Sequence, residues 1–159
     1  MSSIVKPFSP FLFRVMKSYN LKHVVSFEET NLVGNVYYAN HIRWQGKCRE
    51  MFLYDHARSV LADLEKGNLA LVTLNCSCEY FEELKAFDEV IVKMYLQKMV
   101  QNKIDMRFEY YKITSGSEKL IAKGKQEVAC MERKDGNYFA TSIPKELQMA
   151  LMEYSEITL

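Results

Sequence analysis

From Gly67 onwards the apolar residues of this chain change their spacing, from a helical period of about 3.6 to a period of 2, and they keep it as far as Arg133. The runs Leu69–Phe81, Asp88–Val100, Lys103–Thr114 and Lys119–Arg133 each alternate as strands with one buried face. Short turn signals separate them: Gln101-Asn102, then Ser115-Gly116-Ser117. Connections this short force antiparallel neighbours. Asp135-Gly136-Asn137 marks a further turn, and Gly124 is read as a bulge within the last strand. Pro144 opens a terminal helix over Lys145–Tyr154. Upstream, residues 17 to 29 alternate Tyr19, Leu21, His23, Val25 and Phe27 on one face, which predicts a first strand. Between the strands, Cys48, Met51, Phe52, Val60, Leu61 and Leu64 recur at helical spacing. They predict one helix from Ile42 to Glu65, wrapped by sheet, with Gly67 just past its end. One strand, one long helix and four consecutive strands make an α+β chain.

The 159 residues suit a single domain, and a hydrophobic fraction of 48% is ample for its core. A formal net charge of +1 gives no global pull towards nucleic acid or membrane, and no run of eighteen apolar residues predicts a membrane span. Residues 1–16 carry a short apolar piece interrupted by Pro7 and Pro10, with no small-residue cleavage site after it. They are read as an arm packed on the domain or a neighbour, not as a signal peptide. Cys76 and Cys78 share a strand face, but no second Cys or His pair accompanies them at zinc spacing. Core thiols in a reducing cytoplasm are therefore expected, with no metal and no cofactor.

The chemistry concentrates in FEETNLVGNVYYANHIRWQGKCRE, Phe27 to Glu50. Thr30 and Asn31 are short polar residues that bond nearby backbone and end a strand. Gly34 permits a positive φ. Tyr37, Tyr38 and Trp44 add amphipathic rings. Asn40 is read as the cap of the helix, whose first-turn amides favour negative charge, the oxygen of a tetrahedral intermediate included. Arg49 adds a fixed positive charge. Without further information, Asn31 satisfying a turn and Arg49 in a surface ion pair are the favoured explanation of these residues, because such turns and solvated helix charges are common.

The pattern Phe-x-x-Thr-Asn-x-x-Gly-x-Val-Tyr-x-x-Asn, followed by an aromatic-rich helix start with Arg49, resembles the hot-dog thioesterases of the 4-hydroxybenzoyl-CoA type. That family usually has Asp where this chain has Asn31. Many members also carry an acid in the first helical turn, where this chain has Gly46. The loss of the acid makes the segment similar to one branch, the thioesterases of enediyne polyketide biosynthesis. The resemblance implies a hot-dog fold, an antiparallel five-stranded sheet around a long central helix. It also implies a homodimer or homotetramer with sites between subunits. It further implies hydrolysis of a polyene β-ketoacyl thioester held on the acyl carrier domain of a polyketide synthase. The freed β-keto acid would lose carbon dioxide to give a methyl ketone.

A thioester is already activated, so hydrolysis needs a positioned water and a place for the oxyanion more than a covalent nucleophile. On the resemblance, Asn31 orients water or thioester and Arg49 supplies positive charge. Gly34, Tyr37, Tyr38, His41 and Trp44 bind substrate, with His41 standing where relatives often carry Tyr. Backbone amides from Gly34 to Tyr38 are candidate oxyanion donors. Nine Met and nine Phe suit an elongated apolar ligand, although such residues also build cores. Lys6, Lys17 and Lys47 are candidates to meet an acidic carrier. No Gly-x-Ser-x-Gly elbow is present, which disfavours a serine hydrolase. The competing expectations are an acyl-CoA thioesterase of primary metabolism and a non-catalytic acyl-binding module on the same fold.

Overall fold

The computed structural model describes residues 16–156. The arm expected over residues 1–16, and Lys6 with it, lies outside the described residues except for Met16. The elements are β1 (Tyr19–Val24), α1 (Ala39–His56), α2 (Arg58–Glu65), β2 (Leu69–Tyr80), β3 (Glu89–Val100), β4 (Lys103–Thr114), β5 (Ser117–Lys134), β6 (Asn137–Ala140) and α3 (Lys145–Met152). Six strands form one curled antiparallel sheet in the order β1-β3-β4-β5-β2, with β6 paired to β5. This is the α+β, hot-dog arrangement, with six strands rather than five. The added strand follows the turn at Gly136, where Asn137–Ala140 pair with Met131–Lys134. All four of its residues are exposed, so it leaves no alternating apolar signature.

The first strand stops earlier than its pattern suggests. Ser26 donates its backbone N–H to the Glu29 carboxylate at 2.8 Å, and residues Phe27–Glu29 coil into a 3-10 turn. Phe27 is consequently exposed, not part of the buried face.

The single helix read from Ile42 to Glu65 is two. It breaks at Ala57, whose φ of -145° and ψ of 56° leave the helical region. The Tyr54 carbonyl, left behind by the break, accepts the Arg58 Nε–H at 2.9 Å. Ala57 and Val60 are both buried, so the apolar period continues across the break and conceals it in the sequence. Asn40 is not the cap either. Tyr38 holds that position, and Asn40 lies within α1, donating its amide to the Glu29 carbonyl at 2.8 Å.

Trp44, Cys48 and Phe52 of α1 are buried in one core cluster with Val92 and Met94 of β3, Met106, Phe108 and Tyr110 of β4, and Ala122 of β5. Each fully buried side chain of this size stabilises by about 1.5–3 kcal/mol. The opposite face of the sheet is charged: Glu79, Lys123, Glu109 and Lys93 stand opposite one another across four strands, alternating in sign. That division sets which face α1 covers. Gly124, expected as a bulge, keeps register with Cys78 on one side and Phe108 on the other. Its missing side chain serves helix packing instead, because a Cβ there would lie 2.1 Å from Gln45 Nε2.

Among the described residues no helix is long and apolar enough to cross a membrane, and no group of three or more His, Cys, Asp or Glu could hold a metal ion. Lys17 and Lys47 are both exposed, and Lys17 is engaged with Glu153 at 3.0 Å and lies over the Tyr154 ring.

Candidate active site

The loop between β1 and α1 is built around one side chain. Asn31 Oδ1 accepts from the backbone N–H groups of Val33 and Asn35, at 3.0 and 3.2 Å. The backbone closes the same turn, with Asn31 N–H on the Asn35 carbonyl at 2.7 Å and Gly34 at φ +89°. Few residues other than glycine adopt that φ without strain. The turn therefore occupies the Asn31 oxygen, and its Nδ2 hydrogens are the end left to donate.

Two stitches place the loop. Val36 N–H donates to the Leu84 carbonyl at 2.8 Å, and Tyr37 N–H to the Glu29 carbonyl at 2.9 Å. The Glu29 side chain then ties the loop to β1 and α1, taking the Trp44 Nε1–H at 2.7 Å and lying 2.8 Å from His23 Nε2. These hydrogen bonds hold its carboxyl below the usual range against the opposing pull of burial. With the amides of Val33, Gly34, Asn35, Val36 and Tyr37 all engaged, they are removed as oxyanion donors. The Asn40 N–H, in the first turn of α1, is likewise taken by the Tyr37 carbonyl at 2.9 Å, so the role falls to the other first-turn amides of α1.

Asn31, Tyr37, Tyr38 and His41 line one cleft of about 360 Å³. Its far wall is Tyr80 to Leu84, a segment that sequence reasoning passed over as the tail of a strand. The one available signal was the Tyr80-Phe81 pair beside two acids. Of those acids Glu82 is paired with Lys119, and Glu83 is exposed. The Tyr80 hydroxyl donates to the Tyr38 carbonyl at 2.8 Å and closes the cleft's floor. Gly34, expected to bind substrate, does not line the cleft; it serves the turn through its positive φ. Trp44 is 2% exposed and belongs to the core.

His41 is 3% exposed, ringed by Trp44, Tyr80 and Tyr110 at 4.9, 4.9 and 5.4 Å. Neither ring nitrogen reaches a hydrogen-bond partner. Burial pushes its pKa down to about 4, and the Tyr38 backbone pulls it up only in part. The ring is neutral at pH 7, so it can accept or donate one hydrogen bond but carries no charge. An unfolded histidine titrates near 6.5. Between these values the unfolded chain binds the extra proton, so this contribution is whole above 6.5 and is lost as pH falls towards 4. Over that window the loss amounts to roughly 3 kcal/mol. Thermal unfolding of His41→Phe at pH 7.5 and pH 4.5 checks it: the variant should lose much of the wild-type slope, and an unaltered slope would refute the assignment.

Arg49 stands eight residues beyond His41, about 12 Å along the helix axis, and does not line the cleft. It is half-buried, with Nη1 donating to Gln126 Oε1 at 3.0 Å and reaching Thr73 Oγ1 at 3.4 Å. Among the described residues no carboxylate pairs with it, and its Nε is covered without a partner. Burial lowers its pKa accordingly. A half-buried guanidinium with no ion-pair partner and only the partial offset of Glu50 is costly; it is not the surface ion pair that the sequence left open. One chain thus gathers Asn31, Tyr37, Tyr38 and His41, and sets Arg49 apart.

Comparison with known proteins bears on this arrangement. The family model of the thioesterase-like superfamily matches residues 25–151. A solved structure of the dynemicin thioesterase, described for induced-fit and allosteric effects upon polyene binding, is 46% identical, with a TM-score of 0.85 over 89% of this chain and 100% of that one. A 1,4-dihydroxy-2-naphthoyl-CoA thioesterase from Synechocystis shares the fold at 17% identity and a TM-score of 0.76, covering 86% of this chain and 96% of its own. An Asp-to-Asn mutant of 4-hydroxybenzoyl CoA thioesterase, complexed with 4-hydroxybenzoyl CoA, does so at 14% and 0.71, over 84% of this chain and 98% of its own. Among curated proteins none matches.

Proposed function

Since this chain belongs to the thioesterase-like superfamily and is a thioester hydrolase of hot-dog type, we propose that it unloads a polyene β-ketoacyl chain from the acyl carrier domain of a polyketide synthase in the cytoplasm. The observation that carries the substrate is the 46% identity to the dynemicin thioesterase over that protein's full length. Polyene binding is a property of that protein, extended here to this one.

In the proposed reaction, a water oxygen attacks the thioester carbon as the carbonyl oxygen takes up negative charge. Asn31 Nδ2 and the first-turn amides of α1 donate to that oxygen, whose field the helix start favours. The C–S bond then breaks, the thiol leaves with a proton from the water, and the acid is released. A β-keto acid loses carbon dioxide by internal proton transfer to the ketone, so the protein need only release it. Tyr37 and Tyr38 line the entrance, and neutral His41 the floor.

Arg49 joins the site from a second copy. The strand β2 is an edge of twelve residues with one charge, Glu79, and with Val72 and Leu74 exposed. Unprotected edges of this kind pair. An antiparallel pairing of β2 with its copy about a point near Cys76 carries the Thr73 end of one strand to the Tyr80 end of the other. Arg49 sits at the first end and the cleft at the second.

Thiol release from a polyene β-ketoacyl carrier, compared with the same acyl group on CoA, tests the substrate. Preference for CoA would favour primary metabolism, and bound acyl group without thiol release would make this a binding module. The seam has its own test. Asn31→Ala and Arg49→Ala chains, each inactive alone, should recover about a quarter of wild-type activity when unfolded together and refolded, because half the dimers are mixed and carry one intact site of two. No recovery would place both residues in one subunit's site.

A further inference from the structure

Glu29 stands two residues before Asn31 and does not line the cleft. Three elements meet at it. Its backbone carbonyl accepts the Tyr37 N–H at 2.9 Å and the Asn40 Nδ2–H at 2.8 Å, so it holds both the far end of the Asn31 loop and the first turn of α1. Its carboxylate takes the Trp44 Nε1–H at 2.7 Å, one turn further along α1, and lies 2.8 Å from His23 Nε2 of β1. The Ser26 N–H completes the set at 2.8 Å. The hydrogen bonds of Asn31, by contrast, stay within its own turn. The placing of Asn31 against α1 is therefore carried by Glu29.

The chemistry of these bonds calls for a carboxylate. Oε1 faces the indole N–H of Trp44, and Oε2 faces the backbone N–H of Ser26. Both partners can only donate, so both oxygens must accept. An amide of the same shape offers one acceptor and one donor, and would set an NH₂ against an N–H. The side chain is 16% exposed, which leaves little water to stand in. Burial pushes the Glu29 pKa up, but the hydrogen bonds from Ser26, Trp44 and His23 outweigh it and hold the carboxyl below the usual range. It is thus ionised at pH 7, where bonds to a charged acceptor are the stronger kind.

We propose that Glu29 is a positioning residue for hydrolysis: its carboxylate fixes the Asn31 turn against the first turns of α1, so that Asn31 Nδ2 and the first-turn amides converge on one carbonyl oxygen. The inference rests on the hydrolase reading above. Glu29 lies outside the cleft and acts through Asn31. A misplacement of about 1 Å caused by a residue away from the chemistry costs up to about 100-fold in rate. The donors it aims meet a charge that develops in the transition state, so the loss falls on kcat and spares KM.

The test measures kcat and KM for a β-ketoacyl thioester of N-acetylcysteamine with wild type, Glu29→Gln, Trp44→Phe, Asn31→Ala and the double variant Glu29→Gln/Asn31→Ala. Glu29→Gln should lower kcat by about 10–100-fold and shift KM by less than about 3-fold. Trp44→Phe removes the N–H and keeps a ring, and should show a smaller loss of the same kind. The double variant should be no slower than Asn31→Ala alone, its residual rate read at high enzyme concentration, because no Nδ2 is left to aim. Multiplied losses would make Glu29 a general structural residue, and an unaltered kcat would remove it from the mechanism; either overturns the proposal. Should Glu29→Gln not fold, Trp44→Phe combined with Asn31→Ala decides by the same criterion. Wild type that hydrolyses no thioester would overturn the hydrolase reading, and this inference with it.

Discussion

Arg49→Met should cut kcat for thioester hydrolysis by about 10²–10³-fold, the usual cost of removing one donor to a developing oxyanion, while leaving the folded state as stable as wild type or more so. The two halves of that result have one cause. The guanidinium is half-buried with no carboxylate in ion-pair contact among the described residues, Glu50 offsetting the burial only in part, and its Nε lacks any partner. Its contacts with Gln126 and Thr73 are hydrogen bonds to neutral acceptors, which return only part of the desolvation cost of a charge. Methionine keeps an unbranched apolar stem without the charge. A residue retained at a cost in stability, beside an unpaired edge strand, is retained for what it meets there. Rate and melting temperature measured on the same preparation decide the matter. A marked fall in melting temperature with unaltered kcat would make Arg49 a structural residue, and the proposed seam would lose its cation. Arg49→Lys should recover only a small part of the rate, because an ammonium does not reproduce the planar set of guanidinium donors.

The second large effect is on stability. Gly124→Ala should destabilise the chain by roughly 2–4 kcal/mol, a fall in melting temperature of about 5–15 °C for a domain of this size. The added Cβ would lie 2.1 Å from Gln45 Nε2, 3.0 Å from Gln45 Cδ and 3.1 Å from the Ser77 carbonyl oxygen. The first two atoms belong to a side chain with no solvent to retreat into, and the third is backbone. Either the amide leaves Ser77 and buries its nitrogen unpaired, or α1 lifts from β5. The variant Gln45→Ala vacates the space, so the double variant should lose much less than the sum of the two single losses. Additive losses would assign the glycine another role, such as strand conformation.

How much of this was legible beforehand differs by residue. The β4 bounds follow from alternation alone, because its neighbours on both sides fix register through two-residue turns. The break at Ala57 was not legible: alanine favours helix, and burial on both sides of it kept the period intact. Gly124 drew notice as a glycine in a strand, yet whether it marks a bulge or a close approach depends on what lies above it. The segment Tyr80–Leu84 became part of the cleft because the backbone of Val36 bonds Leu84, a contact between positions far apart in the chain.

The amino-acid order alone determined the α+β class, the four strands between Leu69 and Arg133, and the motif from Phe27 to Glu50 that places the chain in its family. Those are properties of neighbours within a few positions, where side-chain period and turn chemistry act directly. Tertiary structure alone decided that His41 is buried and neutral, that Arg49 lies away from the cleft, and that Gln45 packs against Gly124. Each depends on desolvation and on contacts across the sheet, and neither quantity exists until distant segments have packed together.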